Sequence, residues 1–158
     1  MSTHLQRAVI HWEQPAVDFF KGKYSREHTW TFDGGAVISA SSAPSVVPVP
    51  WSNAALIDPE EAFVASLSSC HMLSFLYVAS RQGFQVAAYH DEATGLMAKN
   101  ERGIPWVSAV TLHPIIAYAG DKRPSAEEEA RLHHVAHEQC YIAKSVKTEV
   151  TVAPVATS

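Results

Sequence analysis

Two cysteines, Cys70 and Cys140, are the residues of this 158-residue chain best suited to covalent chemistry. A thiol reacts as the thiolate, which needs a cation or several hydrogen-bond donors nearby. Cys70 stands in Ser66-Leu67-Ser68-Ser69-Cys70-His71, in the middle of a long apolar run. Free cysteine is among the most buried residue types, so an inert core thiol is one reading. Ser66 and Ser69 favour the other, because they leave space and polar contacts where a core would use Leu. Cys140 follows His137-Glu138-Gln139 at the expected end of a second helix, a place more accessible than mid-helix. It reads either as a working thiol or as a packing residue at a helix terminus. His133, His137 and Cys140 fall at i, i+4 and i+7, on one helix face. With His134 beside them, that face reads as a set of metal ligands, a surface histidine stripe, or a histidine that tunes Cys140. Arg26, in Tyr24-Ser25-Arg26-Glu27-His28, reads on its own as a solvated loop arginine.

Several elements must position these groups. Asp58-Pro59-Glu60-Glu61 is a helix start: Asp58 as cap, Pro59 at the first helical position, Glu61 three after the cap. The helix should run to about Gln82, where Gly83 stops it. It is apolar on nearly every face, which implies burial on most sides, by a sheet and by a second subunit. Glu60 lies ten residues before Cys70, about 15 Å along a straight helix, so it cannot touch the thiol of its own helix. If Glu60 serves the Cys70 site, it reaches the Cys70 of another chain, or the helix bends.

Arg7 to Glu13 and His28 to Phe32 read as strands. Asp33-Gly34-Gly35 turns the latter into a third, Ala36 to Ala40. Residues 14–27 read as a loop, and 41–58, rich in Ser and Pro, as a long ordered loop with a functional or partner-contact role. Val86 to Lys99 and Trp106 to Ala119 read as two long strands around an Asn100–Gly103 turn. Ser125 should cap a helix ending near Gln139, and Thr148 to Val155 reads as a last strand. Strand runs around two helices predict an α+β fold with a mostly antiparallel sheet, one domain over residues 1–158.

Composition narrows the function classes. Hydrophobic residues at 47% and charged residues at 18% support a real core rather than disorder. A net charge of -4 with scattered basic residues gives no nucleic-acid footprint. No run approaches the ~18 consecutive apolar residues of a membrane span. The Met1-Ser2-Thr3-His4 start lacks the basic-then-apolar order of a signal peptide. The expectation is a cytoplasmic protein whose two cysteines are core residues or working thiols rather than a permanent staple.

The segment Asp58-Pro59-Glu60-Glu61-Ala62-Phe63-Val64-Ala65-Ser66-Leu67-Ser68-Ser69-Cys70 resembles the first cysteine motif of the OsmC/Ohr family, the osmotically inducible and organic hydroperoxide resistance proteins. Asp58 stands for the family's usual Asn, and the Glu60-to-Cys70 spacing fits. Cys140 stands where the family's second cysteine follows a late helix, and Arg26 where its arginine precedes the second strand. Two features depart from the pattern and mark a separate branch: Tyr141 replaces a Pro common after the second cysteine, and Ser39 to Asn53 is long and Pro-rich. The resemblance implies an intertwined homodimer around the long central helices, with two interface sites and no metal, flavin or haem. It implies that Cys70 is the peroxidatic thiol, that Arg26 stabilises its thiolate, and that Glu60 holds Arg26. Cys140 would resolve the Cys70 sulfenic acid, and an external thiol, often a dihydrolipoyl group, would reset the enzyme. Arg81 lies eleven residues after Cys70, about 16 Å along the helix, too far to serve as the cation. His71 and His28 are alternatives to Arg26. A non-catalytic binding or stress protein with structural cysteines is the competing reading.

Overall fold

The computed structural model describes residues 3–13 and 18–153. Residues 14–17 of the expected loop, and the end of the expected last strand beyond Ala153, lie outside the described residues. The chain divides into two compact units, residues 1–62 and 63–158.

In the first unit, β1 (Ala8–His11), β2 (His28–Phe32) and β3 (Val37–Ala40) form an antiparallel sheet in the order β1-β2-β3. The Asp33–Gly35 turn closes the β2–β3 hairpin as the sequence indicates, with the Gly35 amide donating to the Phe32 carbonyl and Thr29 opposite Ser39. One turn of 3-10 helix, Phe19–Lys21, interrupts the expected 14–27 loop. The loop at 41–58 is tied back at both ends. The Ser41 amide bonds the Ile57 carbonyl, the Asn53 amide bonds Ser41 Oγ, and the Arg26 amide bonds the Trp51 carbonyl.

Helix α1 (Pro59–Arg81) is unbroken over 23 residues. Its capping box forms as expected: the Glu61 amide donates to Asp58 Oδ1 at 2.8 Å, and the Asp58 amide donates to Glu61 Oε2. Gly83, at φ 78°, ends it in the left-handed conformation that favours glycine.

The second unit sets α1 and α2 (Ala126–Gln139) against two sheets. The expected strand Val86–Lys99 is in fact two, β4 (Gln85–Asp91) and β5 (Thr94–Lys99). The expected strand Trp106–Ala119 is also two, β6 (Pro105–Leu112) and β7 (Pro114–Ala119). β4 pairs antiparallel with β7 in one sheet; β5, β6 and β8 (Glu149–Val152) form the other, with β6–β8 parallel. Asp91 stitches the corner where β4 ends and β7 begins, its Oδ1 accepting the His113 amide at 2.6 Å. A short helix α3 (Tyr141–Lys144), not expected from sequence, follows α2.

Phe75, Val78 and Ala79 of α1 pack with Leu132 and Ala136 of α2 over Tyr89 and Ile116 of the first sheet. Leu67 packs with Val110 and Leu112 under the second. Gly95 is required where β5 crosses α1, since a Cβ there would lie 2.6 Å from Val64 Cγ2. Burial of α1 on most sides is not met within one chain. The buried residues form a single stripe, Leu67, His71, Phe75, Val78 and Ala79, while Leu73 and Tyr77 stay about 60% exposed. By length and composition α1 would also suffice to cross a membrane. Its capping box, its serines and its stripe packed on two sheets mark it instead as the core helix of a globular fold.

Candidate functional site

The structure brings the two cysteines together. Cys70 on α1 and Cys140, the residue between α2 and α3, are free thiols close enough that Cys70 acts on the Cys140 thiol. Their accessibility reverses the sequence expectation: Cys140 is buried and Cys70 is partly open. Helix α3 continues directly from Cys140, and the Ala143 amide donates to Cys140 Sγ at 3.4 Å. Burial first, and then the hydrogen bond to Cys70, push the Cys140 thiol up to about 11. Cys140 therefore holds its proton at neutral pH.

Beside this pair, His71 and His133 face each other in the interior. His71 Nε2 and His133 Nδ1 are 3.0 Å apart, with ring planes 11° from parallel, and Phe75 stacks on His133. His133 is thus no part of a surface stripe, and sequence reasoning missed the pair. Among the described residues no group of three or more His, Cys, Asp and Glu is placed to hold a metal ion. His71 Nδ1 and His133 Nε2 are buried without a hydrogen-bond partner. Whichever ring donates across the pair, one N–H and one lone pair remain unsatisfied, at a cost of about 1–3 kcal/mol each.

Burial, and secondarily His137, hold His71 down at about 4; burial and His71 do the same to His133, also at about 4. Asp91 opposes both shifts only weakly. Both rings are neutral in the native state at pH 5, whereas in the unfolded chain each gains a proton as pH falls through 6.5. The unfolded state then binds more protons, so stability present above pH 6.5 is lost as pH falls towards 4. Urea unfolding at stepped pH should show a loss on the order of 3 kcal/mol per ring across this window. His71→Leu/His133→Leu should lack this component; an equal acid loss in that variant would contradict the assignment.

The first unit holds Arg26 and Glu60. Both line a cavity of about 480 Å³ walled by Ile10, Trp12, Phe19 and Tyr24. Arg26 is no free loop arginine. Its Nη1 donates to the carbonyls of Gly22 at 2.8 Å and Tyr24 at 2.5 Å, and its guanidinium lies 3.6 Å over the Tyr24 ring. Among the described residues no carboxylate pairs with it within 4.0 Å, Glu60 included. Among the described residues its charge is anchored by neutral groups and has no carboxylate partner. Sequence reasoning also missed the aromatic wall, whose nearest signal is Tyr24 two residues before Arg26.

The alternative cations are removed by their bonding. His28 Nδ1 is 2.7 Å from the Arg26 carbonyl, which can only accept, and Nε2 receives the Trp30 indole N–H at 2.8 Å. Those two bonds engage both ring nitrogens of His28. His71 is neutral at pH 7 by burial.

Residues 52–154 match the family of OsmC-like proteins. No functionally curated protein matches the chain. Among solved structures, an OsmC-like protein of unknown function from Vibrio cholerae is 46% identical with a TM-score of 0.92, over 96% of this chain and 99% of that one. The organic hydroperoxide resistance protein of Elizabethkingia anophelis shares the fold at 18% identity and TM-score 0.70, over 96% of this chain and 97% of that one. That of Bacillus subtilis does so at 19% and 0.65, over 94% and 96%. The mixed architecture of antiparallel sheets and one long helix is therefore the OsmC/Ohr fold, and the chain belongs to the OsmC-like protein family.

Proposed function

We propose that the protein is a thiol peroxidase that reduces organic hydroperoxides through Cys70. The observation that carries this reading is the pairing of a partly open thiol with a buried, protonated one. The Cys70 thiolate attacks the distal peroxide oxygen, the O–O bond breaks, and the alkoxide leaves as the alcohol after taking a proton. Cys70 is left as a sulfenic acid. Cys140 sulfur then attacks Cys70 sulfur as its proton passes to the departing oxygen, giving a disulfide and water. An external dithiol of the dihydrolipoyl type returns both cysteines to thiols by exchange.

Arg26 is the proposed cation for the Cys70 thiolate, on the ground that no carboxylate among the described residues pairs with it, that both ring nitrogens of His28 are engaged, and that His71 is neutral by burial. Glu60 lines the same cavity as Arg26 without pairing with it here, and would orient the guanidinium only by closing on it in the completed site. The exposed Leu73 and Tyr77 on α1 support a homodimer that covers this helix, so that Glu60 and Cys70 of one site come from two chains. We place the working protein in the cytoplasm, as one OsmC-like domain, because reduced thiols persist there. Light scattering should give two chains per particle; a stable folded monomer would sink the shared site.

The direct test is turnover of cumene hydroperoxide and of hydrogen peroxide with dihydrolipoamide as reductant. The reading expects catalytic consumption with preference for the organic peroxide. Absence of turnover with either would favour a binding protein that keeps the fold.

A further inference from the structure

We propose that the buried His71–His133 hydrogen bond is the positioning device of the thiol pair, fixing the rotation of α2 on α1 and so setting Cys140 against Cys70. The inference rests on the reading that the two thiols act together.

His71 directly follows Cys70 on α1. His133 precedes Cys140 by seven residues, two turns back on the same face of α2. One bond thus ties together the two stretches that carry the sulfurs. Among the described residues the other core contacts between these helices, Phe75, Val78 and Ala79 with Leu132 and Ala136, are apolar and without direction, and the Phe75 stack falls on His133 itself. They tolerate a rotation that a 3.0 Å hydrogen bond between near-parallel rings does not. Cys140 caps both α2 and α3, so any turn of α2 carries its sulfur along.

The pair is a poor stabiliser. It leaves His71 Nδ1 and His133 Nε2 buried without partners, as is the Tyr89 hydroxyl nearby on β4. Two leucines would fill the space with no such loss. What imidazoles offer here is direction, and only while both are neutral. The titratable groups that act on them are His137 on α2 and Asp91 on β4, the latter also bonded by the Ser68 hydroxyl of α1. Protonation of either ring puts a cation into this interior and removes the acceptor or crowds the donor.

The experiment equilibrates the full-length protein with glutathione redox buffers at pH 7 and counts the Cys70–Cys140 disulfide by alkylation and mass spectrometry. His71→Leu/His133→Leu should fold with unchanged or higher thermal stability, yet its disulfide equilibrium constant should fall by about tenfold or more. His71→Gln/His133→Asn, which restores a hydrogen bond between side-chain amides, should recover most of that loss. Equal constants in the wild type and the leucine pair would overturn the proposal. So would a leucine pair that fails to fold, since the bond would then be a stabiliser, and so would an amide pair no better than leucine. Wild-type thiols that do not pair at all would overturn it too. No peroxide enters this assay. A protein that pairs its thiols but ignores peroxides would refute the peroxidase reading and leave this one standing.

Discussion

Cys70→Ser is expected to reduce hydroperoxide turnover to background, a loss of at least ~10³-fold, as for removal of a covalent nucleophile. Cys140→Ser should behave differently. Its Cys70 still cleaves one peroxide per chain, but the sulfenic acid then has no partner sulfur, and steady-state turnover with the dithiol falls. Dimedone labelling should mark Cys70 in this variant. The roles follow from accessibility: Cys70 is partly open, whereas Cys140 is buried and held protonated by that burial. Dimedone on Cys140 with activity retained in Cys70→Ser would reverse them.

Arg26→Met should have the second largest effect. An ordinary thiol, at about 8.5, is only a few per cent thiolate at neutral pH. A thiolate therefore needs a cation nearby. His28 is engaged through both ring nitrogens, with the Arg26 carbonyl and the Trp30 indole, and His71 is neutral by burial. Arg26 remains, preorganised by two carbonyls and the Tyr24 ring. In a Cys140→Ser background, Arg26→Met should move the pH profile of Cys70 alkylation to higher pH and slow the first peroxide reaction by about 10- to 1000-fold. Far-ultraviolet circular dichroism should be unchanged. If alkylation profile and rate both stay as in the parent, Arg26 holds the loop and does not serve the thiol.

The parts of this fold that were legible in the sequence are those written in local chemistry. Asp58, Pro59, Glu61 and Gly83 specify the ends of α1 through capping and the left-handed stop, and these bonds form. Asp33-Gly34-Gly35 specifies its hairpin for the same reason. The two long strands failed where tertiary bonding decides. The breaks after Asp91 and before Pro114 lie inside β-forming runs, and the corner exists because the Asp91 carboxylate captures the His113 amide. Pro114 was a readable signal of that break. Cys140 caps α3, a four-residue helix too short to carry a periodic pattern. His133 sits among Glu127, Glu128, Glu129 and Arg131, which mimic a solvated face; only its neighbours Leu132 and Ala136 hint that the apolar stripe is wide enough to include it. The Cys70–Cys140 pairing is non-local, and spacing alone could not have placed those sulfurs together.

The central claim is that one peroxide converts this thiol pair into one disulfide. The most direct measurement treats the fully reduced protein with a single equivalent of cumene hydroperoxide and counts free thiols per chain. The account predicts a fall from two thiols to none, with a Cys70–Cys140 cross-linked peptide within one chain by mass spectrometry. Two thiols remaining after the peroxide has had time to react would contradict it.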